Sequence, residues 1–476
     1  MRRLLEQPKG LFPLFFTELW ERFGFYTVST ILVLYLSKGL GYSDKSAYLL
    51  YGAFSSMLYL MPVLGGYIAD KYLGFRRSIV LGGILFMIGY TLMSIPNERA
   101  LFLGLSIVIL GNGFFKPNVS GIVGDLYEPE DPRRDGGFTL FYMGINIGAL
   151  IPPIFAGALV AAYTWGAGFL AAALGMIFSL ITFLWGRKYF GEAGAAPHEK
   201  HRFSLYALIF VGMIGLIFLL QIILRHPAEA DLFLFFVSLA VIGVVLYFLS
   251  KEDPIHRRRM IACLVLILLS VGFWAVYNQT YTSLMLFADR NMSKEFLGLT
   301  IDAEFTQFFN PFFIIAISPF LSRFWVHLDR RNSHPSTPLK FSLGILFVAI
   351  GFFVLSMGIQ SFNQGGLASP WWLVFSYLIQ TLGELFISPI GLAMVTRLSP
   401  KHLVGMMMGV WFLTQSAAFA IGGGLATLCD VPEEVGKEAS LRIYSHAFEI
   451  YGGIALALSV ISFMLVPTLK KLIEKR

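Results

Sequence analysis

The sequence predicts an all-α membrane protein of about fourteen transmembrane helices: two six-helix bundles with an extra helix pair inserted between them. Three observations predict it. The 476 residues are 56% apolar and only 14% charged, where an ordinary soluble domain is about 25% charged. Apolar runs of roughly 20 residues, enough to cross a hydrocarbon core as a helix, recur along the whole chain. A seven-residue pattern also occurs twice, GNGFFKP at Gly111–Pro117 and GELFISP at Gly383–Pro389.

In chain order the runs fall near 14–36, 47–69, 78–95, 100–122, 137–161 and 166–186, which make an N-terminal bundle within 1–190. Runs at 203–224 and 231–250 form the inserted pair, with its linkers, within 191–256. Runs at 260–287, 304–326, 340–358, 370–395, 405–428 and 444–469 make the C-terminal bundle within 257–476. The repeat supports the two halves, because each copy precedes a loop and a Gly-containing run, FYMGINIGAL after the first and WFLTQSAAFAIGG after the second. GGYIADKYLGFRR has a weaker counterpart in SPFLSRFWVHLDRR.

The start, MRRLLEQPKG, leads straight into a full-length run, so no cleavable signal is expected. Cys263 and Cys429 sit in different apolar runs and imply no disulfide framework. Basic residues cluster in alternate loops: Arg2, Arg3 and Lys9; Lys71, Arg76 and Arg77; Arg133 and Arg134; Arg187, Lys188, Lys200 and Arg202; Lys251 and Arg257 to Arg259; Arg323, Arg330 and Arg331; Arg397 and Lys401; Lys470, Lys471, Lys475 and Arg476. By the positive-inside bias these loops and both termini are cytoplasmic. The net charge of +7 is then topology, and no nucleic-acid partner is expected.

Charges inside the runs are the exceptions. Glu18, Glu21 and Arg22 lie within the first, on one helical face, with Glu18 and Arg22 in the favourable i, i+4 order. A central charge on a spanning helix costs about 2.5–3.5 kcal/mol on insertion scales, so such residues face a protein interior or a water cavity. Lys116 and Glu384 are the next, one in each half at corresponding depth, and an acid of opposite sign is the lysine's natural partner. Either the two switch a proton on and off Glu384, or they form a static pair locking the halves. Ser388, just before Pro389, either contacts a ligand or satisfies carbonyls freed by the proline. Asp44 and Lys294, opposite in sign and both in sparse-side loops, are a candidate entrance gate, or two unrelated solvated charges.

Together these segments resemble a known family. ELWERFGFY is similar to the first-helix signature of proton-coupled oligopeptide transporters of the prokaryotic type, and GGYIADKYLGFRR to their loop after the second helix. FKPNVSGIVGDLY, FYMGINIGAL and ELFISPIGLAMVTRLSP resemble further motifs of that family, in the same order. The resemblance implies a major facilitator fold in the cytoplasmic (inner) membrane and proton-driven import of di- and tripeptides by a monomer, with no cofactor. It implies proton-coupling roles for Glu18, Glu21, Arg22, Lys116 and Glu384, with Glu21 the favoured proton site of the first run. It implies peptide contacts for Asn146 and Asn310, whose amides donate and accept, and for Tyr26, Tyr59, Trp274 and Trp411, whose rings offer area without a fixed hydrogen-bond code. Interhelical hydrogen bonding is the other reading of the asparagines, and packing the other reading of the rings.

Two departures bear on the substrate. The family usually carries an arginine where this chain has Ser29, and an acid where it has Asn278. Losing both avoids a buried unpaired charge, but it removes the customary dock for a peptide carboxylate and leaves Arg22 and Lys116 for that task. Phe25 also replaces a common tyrosine. The runner-up function is therefore a proton-coupled porter for another small solute: an amino acid, a peptidomimetic or an anion. An enzyme is not expected, and no metal site. Histidines 198, 201, 226, 256, 327, 334, 402 and 446 fall in loops or at run ends, without a metal or nucleophile motif. Buried acids in mismatched halves also suit alternating access better than a passive channel.

Overall fold

The computed structural model describes residues 7–128, 131, 133–195, 203–331, 333, 335–361, 363–432 and 434–474. Arg2, Arg3, Lys200, Arg202, Lys475 and Arg476 of the basic series, and His198, His201 and His334, lie outside them. The helices are α1 (Leu11–Leu34), α2 (Asp44–Ile68), α3 (Phe75–Met93), α4 (Glu98–Asp125), α5 (Arg134–Leu150), α6 (Pro152–Ala162), α7 (Trp165–Gly186) and α8 (Phe203–Arg225). They continue with α9 (Pro227–Lys251), α10 (Pro254–Tyr277), α11 (Ser283–Asn291), α12 (Phe309–Arg330), α13 (Thr337–Ser361), α14 (Pro370–Leu398), α15 (Val404–Ala426) and α16 (Lys437–Glu474). Among the described residues, thirteen helical segments are long and apolar enough to cross a membrane. The exception of span length is α1, whose 24 residues include Glu18, Glu21 and Arg22; with it the fourteen runs are accounted for.

Breaks occur where the chemistry demands them. The run 137–161 is two helices, because Pro152 and Pro153 remove two donors and restrict Ile151. The run 260–287 also breaks: α10 passes into a 3-10 turn at Asn278–Tyr281 before α11 begins. Two short hairpins are the only strands among the described residues. Glu295–Phe296 pairs with Leu299–Thr300, and Asn363–Gln364 with Leu367–Ala368. Their two-residue turns, Leu297–Gly298 and Gly365–Gly366, all take positive φ, as the twist of a tight hairpin requires.

The chain divides into two compact units, residues Met1–Leu40 with Met57–Pro227, and Gly41–Ser56 with Ala228–Arg476. In the first, α1 packs against α5, α6 and α7, α3 against α4 and α7, and α8 against α4. In the second, α13 packs against α14 and α16, and α10 against α15 and α16. The segment 191–256 carries α8 and α9. The first of its helices, α8, joins the first unit through α4, and nearly all of α9 belongs to the second unit. Both cysteines are free and buried, with Cys429 Sγ 3.4 Å from the Tyr451 hydroxyl.

The sequence repeat has a packing cause in each unit. A Cβ on Gly111 of α4 would lie 3.0 Å from the Gly82 carbonyl of α3, and one on Gly82 would lie 2.7 Å from the Gly111 carbonyl. In the second unit a Cβ on Gly383 of α14 would lie 2.5 Å from the Gly344 carbonyl of α13, and the reverse distance is 2.9 Å. Lipid tails are as apolar as leucine, so helices in a bilayer associate through close backbone approach at small residues. Gly383→Val is expected to cost about 1–3 kcal/mol by overpacking, read as a lower thermal midpoint in detergent. A Cβ at Gly243 of α9 meets nothing within 4 Å, and Gly243→Val there should leave the midpoint in place.

Candidate functional site

In the first unit the three charges of α1 are buried: Glu21 is 0% exposed, Glu18 and Arg22 3%. The Arg22 guanidinium forks onto Glu21, with Nε to Oε2 and Nη2 to Oε1 both at 2.5 Å. Its Nε is also 3.4 Å from Glu18 Oε1, the i, i+4 partner. The Phe25 ring lies 4.7 Å from the guanidinium carbon. Gly148 of α5 makes room for this cluster, since a Cβ there would come within 2.4 Å of the Leu19 carbonyl and 2.9 Å of Arg22 Cβ. This explains the small residue in FYMGINIGAL.

Lys116, on α4 beside the in-helix Pro117, places its ammonium 4.4 Å from the centre of the Tyr59 ring. It stands within electrostatic reach of Glu18, Glu21 and Arg22. Two acids and two cations thus form one cluster whose formal charges cancel. Arg22 is already held by two acids; Lys116 rests on a ring. Tyr26 packs edge-on to Phe25 at 5.2 Å. Asn146 Nδ2 donates to the Tyr142 carbonyl of its own helix at 3.0 Å, and the Ser29 hydroxyl donates to the Phe25 carbonyl at 3.0 Å. Ser29 is therefore satisfied within α1, and the position carries no charge to pair.

In the second unit Glu384 of α14 is half-buried and is held by neutral donors. Its Oε2 accepts from the Tyr277 hydroxyl at 2.6 Å and from Asn310 Nδ2 at 2.8 Å. Asn310 Nδ2 also reaches the Tyr277 hydroxyl at 2.5 Å and Thr381 Oγ1 at 3.1 Å. Asn310 is thus fixed by its neighbours in the first turn of α12, just before Pro311. Tyr277 and Thr381 were missed by the sequence reading. Each stands at helical spacing from a residue it did single out, Tyr277 three after Trp274 and Thr381 three before Glu384.

Trp274 and Asn278, one turn apart where α10 gives way to the 3-10 turn, are 8% and 4% exposed. Trp274 Nε1 and Asn278 Nδ2 are buried donors with no hydrogen-bond partner among the described residues. A buried donor left unmade costs about 1–3 kcal/mol, so this pair is an expensive feature to keep for packing alone. Trp411 is different: it is buried against Gly391, where a Cβ would lie 2.1 Å from the indole, and meets Phe341 at 6.5 Å. Ser388 sits half-buried on α14, one turn beyond Glu384.

The expected pairing of Asp44 with Lys294 is corrected. Asp44 Oδ2 and Oδ1 accept from Arg290 Nη1 and Nη2 at 2.5 and 2.7 Å, and the Val431 amide donates to Oδ2 at 3.3 Å. Lys294 instead lies 4.0 Å from Asp289. A planar guanidinium matches a carboxylate in two bonds at once, which an ammonium cannot do. Arg290 stands in the last turn of α11, four residues before Lys294, and the sequence reading did not single it out.

Among the described residues one group has metal-ligand spacing: Glu252, Asp253 and His256, with ligand atoms within 4.8 Å of one another. Its geometry has a structural explanation. Asp253 caps α10, accepting from the Ile255 and His256 amides, and its carboxylate meets the His256 ring. The His256 ring and amide hold the Asp253 carboxyl down to about 2.

Four substitutions at three positions separate these roles. Arg22→Ala leaves two buried carboxylates uncompensated and should cost about 3–5 kcal/mol; Arg22→Lys should recover only part of it, because the fork is lost. Asp44→Ala should lower the thermal midpoint through an unpaired Arg290, worth about 1–3 kcal/mol, whereas Lys294→Ala stays within about 0.5 kcal/mol. Equal midpoints for the last two would restore Lys294 as the partner.

Comparison with known proteins agrees with this architecture. The profile of the POT family matches residues 76–442. "Dipeptide and tripeptide permease B" of Salmonella typhimurium is 38% identical over 477 residues, covering 99% of this chain and 97% of that one. Among solved structures, a crystal structure of peptide transporter POT in complex with sulfate superposes with a TM-score of 0.84 at 35% identity, covering 98% of this chain and 96% of that chain. A crystal structure of tetrameric PepTSo2 superposes with a TM-score of 0.85 at 28% identity, covering 98% and 99%. A family match over most of the chain and a full-length relative at this identity agree: this multi-pass membrane protein belongs to the POT family.

Proposed function

We propose that this chain is a proton-coupled symporter that imports di- and tripeptides by alternating access. It sits in the bacterial inner membrane with both termini cytoplasmic, works as a monomer and needs no cofactor. Its domains follow the sequence halves, 1–190 and 257–476, with 191–256 as an accessory segment. The observation that carries the reading is the charge-balanced cluster in the spans of a POT-family chain, formed by buried Glu18, Glu21 and Arg22 with half-buried Lys116. Buried acids beside fixed cations exchange protons when the local charge changes. A ligand carboxylate that approaches Lys116 or Arg22 is such a change.

Roles follow from what each group already binds. Arg22 is occupied by Glu21, so Lys116 is the freer cation for a substrate carboxylate, and an arriving carboxylate favours a proton on Glu18 or Glu21. Glu384, held by Tyr277 and Asn310, is the proton site of the second unit. The unpaired donors of Trp274 and Asn278 serve acceptor groups of the ligand. Tyr26, Tyr59, Trp411, Asn146, Asn310, Ser388 and Ser29 complete the substrate-contacting set. Asp44, through Arg290, has the gating role first assigned to it with Lys294.

A porter for another small solute stays in view for a specific reason. Ser29 offers a hydroxyl already used by its own helix, while Asn278 and Trp274 offer neutral donors, so carboxylate recognition is altered relative to the family pattern. The deciding experiment is uptake into proteoliposomes under an imposed proton gradient. Dipeptides and tripeptides should accumulate with inward current and should outcompete single amino acids and inorganic anions. Glu384→Gln should abolish gradient-driven accumulation yet retain peptide counterflow between equilibrated compartments. Accumulation by this variant at the unmodified rate would remove Glu384 from coupling, and current driven by amino acids or anions alone would favour the second reading.

A further inference from the structure

The first unit contains a groove of about 350 Å³ that the transport reading does not use. Its walls are Met61, Leu64, Gly65 and Ile68 of α2, Leu110, Gly113 and Phe114 of α4, and the Ile209–Leu219 face of α8. No charged or polar side chain lines it. The volume is in the range of small-molecule pockets, and all three helices are of membrane-spanning length and hydropathy.

Two details show that the groove is kept open. Gly65 is fixed by packing, since a Cβ there would lie 2.0 Å from the Gly113 carbonyl. Gly212 and Gly215 of α8 are not: a Cβ on either meets nothing within 4 Å. In a helix otherwise rich in large apolar residues, two glycines without a packing cause leave side-chain volume unfilled.

One end of the groove is basic. On α8 the face Ile209, Gly212, Met213, Leu216 continues one turn back to Tyr206, and the Tyr206 hydroxyl accepts from Arg77 Nη1 at 3.2 Å. On α2 the face Leu64, Ile68 continues into the turn Ala69–Leu73, where exposed Lys71 stands 4.7 Å from the Tyr67 ring. Arg77 is exposed as well. An apolar slot between spanning helices, with a guanidinium and an ammonium at one end, has the chemistry of a single amphiphile: an acyl chain below and an anionic phosphate above.

We propose that the α2–α4–α8 groove is a binding site for an anionic phospholipid, with one acyl chain against Gly212 and Gly215 and the headgroup phosphate on Arg77 and Lys71. The site gives α8 a task separate from transport chemistry. Its occupant is drawn from the membrane, since inorganic phosphate has no group for the apolar slot.

The test uses the full chain purified in neutral detergent and titrated with phosphatidylglycerol or phosphatidylcholine, with bound lipid counted by native mass spectrometry. Phosphatidylglycerol should be retained in preference. Gly212→Phe and Gly215→Leu should fill the slot and abolish the retained lipid, while Gly243→Phe, at an open position on α9 outside the groove, should leave it unchanged. Arg77→Gln and Lys71→Gln should each cut the preference about five-fold without changing the thermal midpoint in lipid-free detergent. Excess inorganic phosphate should compete weakly or not at all. Undiminished phosphatidylglycerol retention by Gly212→Phe and Gly215→Leu, or equal retention of the two lipids by the unmodified chain, would overturn the proposal.

Discussion

The two bonds from Arg22 to Glu21 make the first helix admissible inside a bilayer. Without them α1 would bring unpaired carboxylates into hydrocarbon, and the helix would have to be exposed to water or abandoned. With them the cluster is neutral once Lys116 is included, and it can be buried by α5 at the cost of one glycine, Gly148. Much of the first unit is arranged around that requirement, because α1 packs on α5, α6 and α7 together. The same pairing bears on function. In the proposed transport cycle, the fork that stabilises the helix is also the contact for which a ligand carboxylate competes.

The second unit solves the corresponding problem with neutral donors. Glu384 receives its hydrogen bonds from a phenol and an amide of its own unit. Neutral donors stabilise a carboxylate less than a guanidinium does. The two units therefore hold their acids by different means, although the backbones around them repeat the same glycine-to-carbonyl contact. Gly82 with Gly111 and Gly344 with Gly383 are the packing origin of the sequence repeat, and the residues next to those glycines are where the halves diverge: Asn112 in one, Glu384 in the other.

How much could be read from the sequence follows from this division. Span positions were readable throughout because apolar length is a one-dimensional signal, and the α5–α6 break was readable in principle from Pro152 and Pro153. The acids and cations of the site were readable because a charge in a span is costly enough to stand out. Tyr277 and Thr381 were not. Tyrosine and threonine are ordinary in apolar helices, and only the distance to Glu384 distinguishes them. The partner of Asp44 was misread for a related reason: loop position and sign suggested Lys294, whereas the bond depends on a fork geometry that sign does not encode.

Cys263 and Cys429 are both enclosed by the helices around them, the second against the Tyr451 hydroxyl. Thiol-directed reagents act on exposed thiolates, so the native chain presents little to them. A single cysteine placed in a surface loop would then be the dominant site of a fluorophore or spin probe, with both native residues left in place. Distances between chosen helix ends could be followed through a transport cycle on an otherwise unaltered protein.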